Sequence, residues 1–288
     1  MSIKIKLEHY VPRCYLRNFS VVGGDDYLFC FDKMKSRTFK VNNRNVAAEA
    51  TFYDTHRDSK QRVERYLSYL ESFFDASCRK VIATEDLDGL TEFDFMILAR
   101  FIATQEVRTK EHRTRMMKAY QQQSSRMKQS TKVVKETDSL LHQLNSEEGI
   151  KSLHVNTINN IEPLIADLSI MGWALVINCT SLSFWCSDHP CNHYYHIEMS
   201  PLGNLGIKCK TIWAYFPLSP KLCLCFYEPI EDGSRRCRCE VQDIRQIIYQ
   251  NYLQVYGSSR FVFSSEGDLF LAEQIMAYKD KNLLLKPW

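Results

Sequence analysis

No stretch of this 288-residue chain approaches the roughly 20 consecutive apolar residues that a helix needs to cross a bilayer. Charge interrupts every apolar run of the opening Met1-Ser2-Ile3-Lys4-Ile5-Lys6-Leu7-Glu8-His9, so a secretory signal core is missing too. The expectation is a cytoplasmic protein without a membrane partner. Glycine and proline are scarce, at 10 and 8 residues, which excludes collagen-like and low-complexity architectures. The chain has no phosphate-binding glycine loop, no dinucleotide fingerprint, no Gly-x-Ser-x-Gly elbow and no His-Glu-x-x-His pair. Those absences remove the commonest nucleotide-binding, hydrolase and zinc-protease signatures. No internal repeat marks a solenoid or propeller.

What is present is ordinary globular composition, 45% hydrophobic and 25% charged, in a chain long enough to bury a substantial core. One domain over residues 1–288 is expected, with a helical insert at about 115–150 where the sequence turns polar. The 11 cysteines are odd in number and sit mostly in apolar runs such as Leu28-Phe29-Cys30-Phe31 and Leu222-Cys223-Leu224-Cys225-Phe226. They read as small buried hydrophobes in a reducing compartment rather than as a disulfide framework. Net charge is only +3, but Arg100 to Lys135 carries ten basic residues against Glu106 and Glu111. That segment is +8, which leaves −5 for the rest, so a basic arm on an acidic body would attract polyanions.

Local patterns outline the elements. Tyr27 to Asp32 and Arg37 to Val41 read as a β-hairpin around Lys33-Met34-Lys35-Ser36. Lys60 to Thr84 repeats apolar residues at helical spacing, and Thr91 with Asp94 signals the cap of a second helix. That helix is apolar from Phe93 to Ala103 and basic from Arg108 onward, so a single helix is expected to run from core to solvent. A further helix is expected over about Asn156 to Met171, stopped at Gly172. Strand-like runs follow at Trp173 to Asn178, Ser183 to Cys186, Thr211 to Phe216 and Lys221 to Tyr227. Glu240 to Tyr256 is helical, Arg260 to Phe263 a strand, and Leu269 to Met276 a last apolar segment. Segregated blocks argue for α+β: an N-terminal hairpin, a helical bundle with a long basic helix, a mostly antiparallel sheet and C-terminal helices.

Polar residues crowd four places in this pattern. The opening, His9-Tyr10-Val11-Pro12-Arg13-Cys14-Tyr15-Leu16-Arg17-Asn18-Phe19, mixes His, Arg and Asn with core-type aromatics. It reads either as an anchored arm or as an arm that presents His9, Arg13 and Arg17. Phe101, Gln105, Arg108 and His112 are spaced by four, three and four, which places them on one helical stripe. Glu71 lies beside the apolar stripe of the first helix, where it would pair with Arg108. Cys186-Ser187-Asp188-His189-Pro190-Cys191-Asn192-His193 is the densest run of ligand-type residues, but its spacing fits no standard zinc motif. No metal ligands are assigned.

These segments resemble a bacterial family known as domain of unknown function 4238. The opening is similar to its HYVP-x-x-YLRNF, Phe101 to Thr109 to its F-I-A-x-Q-x-x-R-T, and Ser187-Asp188-His189-Pro190 to its S-D-x-P. Phe216-Pro217-Leu218-Ser219-Pro220 resembles its P-L-S-P, and Asn251 with Arg260 to Phe263 a terminal helix and strand. The family carries Asn at the third S-D-x-P position, where this chain has His189. The resemblance implies a bacterial setting, with defence or stress response as the associated role, and no chemistry.

Two functions fit. In the first, an enzyme cleaves phosphodiesters in nucleic acid. His9 or Glu71 would be the general base, Arg108 would stabilise phosphate charge, and Asp188 would orient a histidine or hold a divalent metal ion. Arg13, Gln105, His112, Arg113 and Asn251 would bind substrate. In the second, the same residues form a buried network that holds the frame of a regulatory protein. Its basic helix would then dock nucleic acid or an acidic protein partner, and a homo-oligomer is a further candidate assembly.

Overall fold

The computed structural model describes residues 7–23, 26–55, 61–130, 146–195, 212–228 and 236–279. It is an α+β fold. The chain enters as β1 (Leu7–His9), and Pro12 starts the short helix α1 (Arg13–Arg17). β2 (Tyr27–Asp32) and β3 (Arg37–Asn42) then form the expected antiparallel hairpin. A 3-10 turn (Asn43–Asn45) leads to β4 (Ala48–Ala50), which pairs back antiparallel onto β1.

α2 (Arg62–Thr84) buries Val63, Leu67, Leu70, Phe74 and Val81, the stripe that its spacing marks. α3 (Glu92–Val107) opens on a full capping box between Thr91 and Asp94. Lys80 and Ser77 of α2 also bind the Asp94 carboxylate, so the cap fastens the two helices together. Phe74 of α2 also stacks on Phe101 of α3, ring centroids 3.5 Å apart and nearly parallel.

The long helix expected from core to solvent is in fact two. α3 ends at Val107, and α4 (Lys110–Ser130) starts afresh after Arg108 and Thr109. The Thr109 hydroxyl accepts the His112 N–H at 3.3 Å, an N-cap bond that favours a restart over continuation. The helix expected over Asn156 to Met171 is likewise split, into α5 (Glu147–Asn159) and α6 (Glu162–Ile170), with Pro163 in the first turn of α6. Of the insert expected at about 115–150, residues up to 130 continue α4 and those from 147 open α5, while 131–145 lie outside the described set.

β5 (Gly172–Asn178) begins the C-terminal sheet, whose order is β10-β5-β9-β8-β7. β7 (Asn192–Tyr195), β8 (Ile212–Pro217) and β9 (Leu222–Tyr227) pair antiparallel in this sheet, whereas β10 (Arg236–Val241) runs parallel to β5. β10 takes Val241, which reads as helical in the sequence, so the next helix, α7 (Ile244–Gly257), starts later. Gly172 is a strand residue rather than a helix stop: a Cβ there would lie 2.5 Å from the Tyr227 ring. β6 (Cys186–Ser187) and β11 (Phe261–Ser264) join the N-terminal hairpin in a second sheet, β3-β2-β11-β6. α8 (Phe270–Lys279) follows. The largest buried cluster runs from Tyr10 to Phe263, so both ends of the chain share one core.

Phe101→Ala removes the ring stacked between α2 and the sheet, and is expected to cost about 3–5 kcal/mol in urea unfolding.

Candidate functional site: a buried polar clamp at the break between two helices

Arg108 caps α3 with its side chain turned inward, only 1% exposed. Its guanidinium donates to the Glu71 carboxylate at 2.9 Å, to the His9 carbonyl at 2.6 Å and to the Tyr53 hydroxyl at 3.2 Å. Tyr53 in turn donates to the Arg108 carbonyl, and its N–H to Glu8 at 2.6 Å. Burial works against the Arg108 charge, but Tyr53 and Glu71 outweigh it and raise the pKa. One turn earlier, Gln105 Nε2 donates to the Tyr10 carbonyl at 2.9 Å. The spacing of three therefore delivers two side chains to two consecutive carbonyls of the opening segment.

Around this clamp the titratable groups are held in unusual states. Burial pushes the Glu8 carboxyl up to about 7, with Asp54 and Glu64 adding repulsion to it. Burial also raises Glu64, whose Oε2 has no hydrogen-bond partner. Burial pushes His9 down to about 4, helped by Arg108 and Arg13, and its Nε2 is likewise without a partner. The clamp thus brings together His9, Glu71, Gln105 and Arg108. Arg13 lies at its outer edge, where it binds Asn43 at 3.2 Å and Asp26 at 3.2 Å.

The other family elements join through the same helix break. The Thr109 hydroxyl, accepting from His112, lies 2.7 Å from His189 Nδ1. The other ring nitrogen, His189 Nε2, is buried with no hydrogen-bond partner. Burial drives His189 down to about 3. Tyr15 of the opening donates to the Pro217 carbonyl at 2.7 Å, which ties in the Phe216 to Pro220 element. Glu106 meets His193 at 3.1 Å; against burial, His193 and the neighbouring His189 and His112 hold the Glu106 carboxyl down near 2.

Asp188 corrects the expectation that it orients a histidine or holds a metal. Its carboxylate accepts the N–H groups of Ser259, Arg260 and Phe261 at 2.8–2.9 Å, which fastens the entry of β11. Burial raises it to about 6 against those three donors. Asn251 likewise serves backbone, accepting from Trp185 N and donating to the Ser183 carbonyl, both at 2.9 Å. Arg113 sits over the Phe52 ring at 3.6 Å and binds the Phe52 carbonyl and His154 Nδ1. His112 leaves the Arg108 stripe at the helix break and lies near the His154 ring. Among the described residues, no group of three or more His, Cys, Asp or Glu is arranged to hold a metal ion.

Sequence reasoning passed over Tyr53, Glu8, Thr109, Glu106 and His154. Glu8 and Thr109 are direct neighbours of His9 and Arg108; His154 carries no sequence signal, because its partners arrive from α3 and α4.

Fold and site define a class: an α+β protein whose motif segments are laced together by one buried polar network. The chain matches the family described as Protein of unknown function (DUF4238) over residues 8–268 and belongs to it. No curated protein and no solved structure matches the chain.

Arg108→Ala leaves the Glu71 carboxylate without its partner and the His9 carbonyl with only the long 3.4 Å bond from the Tyr53 hydroxyl, and is expected to lose about 3–5 kcal/mol in chemical denaturation. Arg108→Lys restores less than half of the loss, since an ammonium lacks the planar fork. The His189 pKa is lower in the folded than in the unfolded state, so its stabilisation is complete above the unfolded value of 6.5 and drains as pH falls toward about 3. His189→Gln is therefore expected to melt below the parent at pH 7.5, with the gap closing by pH 4. A gap independent of pH would contradict this.

Proposed function

We propose that this protein is a cytoplasmic nucleic-acid-binding protein of regulatory or docking type, and that it grips phosphates at the opening segment rather than along α4. The observation that carries the reading is a surplus of guanidinium at one place. Arg13 and Arg17 of α1 and Arg44 of the 3-10 turn converge on the single carboxylate of Asp26, at 3.2, 3.0 and 4.0 Å. Their side chains are 35%, 49% and 65% exposed. Asp26 neutralises one charge of three and holds the others in a fixed fork geometry suited to phosphate oxygens.

α4 is a poorer candidate than its sequence suggests. Lys110 pairs with Glu49, Arg115 with Glu111, and Arg113 is bound by Phe52 and His154. Lys118 and Arg126 stay exposed. The cytoplasmic setting is supported by ten free cysteines among the described residues.

The enzyme reading has one specific observation in its favour. His9 and Glu64 carry unpartnered atoms beside the Arg108–Glu71 pair, which suits a general base. Against it, the Arg108 guanidinium and the Asp188 carboxylate are already committed to protein groups.

Binding and cleavage of labelled single-stranded RNA, single-stranded DNA and duplex DNA, with and without magnesium or manganese, test both readings. Binding without cleavage is expected. The Arg13→Ala, Arg17→Ala, Arg44→Ala triple variant should flatten the log K against log salt slope on duplex DNA by about 1.8, the value for two lost phosphate contacts. Lys118→Ala with Arg126→Ala should leave it nearly unchanged. Cleavage lost on Arg108→Lys would replace this reading with the enzyme.

A further inference from the structure

β9, β5 and β10 lie side by side, and their registers align two rows of residues. One row is Cys225, Ala174 and Cys237; the next is Cys223, Val176 and Cys239. Because side chains alternate between faces along a strand, the runs Cys223-Leu224-Cys225 and Cys237-Arg238-Cys239 put all four thiols on one face. Packing identifies that face: Ala174, Val176, Cys223, Cys225 and Val241 share a buried cluster with Phe184 and Ile247. Cys223 and Cys225 are buried within it, whereas Cys237 and Cys239 are exposed on β10, an edge strand of the sheet.

Two residues along a strand separate the exposed pair by about 6.4–6.8 Å. Their parallel side chains keep the Cβ atoms well beyond the roughly 3.5–4.5 Å that a disulfide requires. One ion held between two sulfurs spans more than an S–S bond and fits this spacing. The Tyr227 hydroxyl lies 3.5 Å from the Cys237 sulfur. Its ring is seated on Gly172, where any side chain would collide with it.

We propose that Cys237 and Cys239 form a two-thiolate site for a soft monovalent cation, Cu(I) in the cell. Thiolate sulfur selects Cu(I) over hard cations, and two ligands suffice for it where zinc would need four. On binding, each thiol releases its proton to solvent and donates a sulfur lone pair; no electron is transferred, and with two protons out for one cation in the neutral dithiol becomes a bis-thiolate complex of charge −1. Tyr227 donates its hydroxyl proton in a hydrogen bond to the Cys237 thiolate. The buried thiols of Cys223 and Cys225 take no part, since Ala174 and Val176 keep them a full strand away.

The test is competition for Cu(I) between the reduced full chain and the chromogenic chelator bicinchoninate, without oxygen. The chain is expected to withdraw one equivalent, with release of two protons. Cys237→Ser and Cys239→Ser should each weaken binding at least 100-fold, and Tyr227→Phe a few-fold. Cys179→Ser, which removes an exposed cysteine elsewhere, should change nothing. Circular dichroism of the serine variants should match the parent, because both positions are exposed. Failure to compete with the chelator overturns the proposal. So does undiminished binding in the Cys237→Ser, Cys239→Ser double variant, or an equal loss in Cys225→Ser with its fold intact.

Discussion

The buried guanidinium of Arg108 is the constraint on which the rest of the structure depends. An arginine taken out of water must find partners for its charge and for several N–H groups at once. This one finds them on α2, on β1 and on the loop that carries Tyr53. Each of those partners lies at least 37 residues from Arg108 in sequence, so the charge acts as a registry pin. It sets the depth of the opening strand against the helices and stops α3 at the point where the chain must turn. Thr109, the next residue, uses that turn to reach His189 and so couples the helices to the C-terminal elements.

Most of the polar groups that look like chemistry in the sequence are, in the fold, ligands of backbone. Gln105 and Arg108 hold carbonyls of the opening, Asp188 holds three amides before β11, and Asn251 spans the backbone before β6. The physical reason is shared. Irregular backbone in a core leaves N–H and C=O groups that no ladder satisfies, and a side chain of the right length is the cheapest partner. Residues in such roles are as demanding as catalytic ones, because deleting them leaves an orphaned buried group. Among the described residues, titratable atoms on His9, Glu64 and His189 that lack hydrogen-bond partners mark where the network is incomplete.

Charge follows a similar logic. A run of basic residues on a helix is expected to face water, but the first turns of α4 lie against the body and spend their charges there. The surplus appears instead on α1 and the 3-10 turn, where three arginines gather on one aspartate. Local composition measures how much charge a segment carries; only the packing tells how much of it is still available.

The sequence alone determined whatever depends on neighbours within a turn or a hairpin. The α+β class, the β2–β3 hairpin, the α2 stripe, the Thr91–Asp94 cap and most strand positions are legible because propensity, periodicity and capping are short-range. The pairing of Glu71 with Arg108 was legible too, since each sits on the apolar side of its own helix. Tertiary structure decided everything that needed two distant segments. The break at Arg108–Thr109 comes from the pull of partners on opposite sides, β10 from a parallel neighbour, and the roles of Asp188 and Arg113 from backbone that arrives from elsewhere. The same holds for the four thiols: each C-x-C run is visible in the chain, but only the register of β9, β5 and β10 places them on one face.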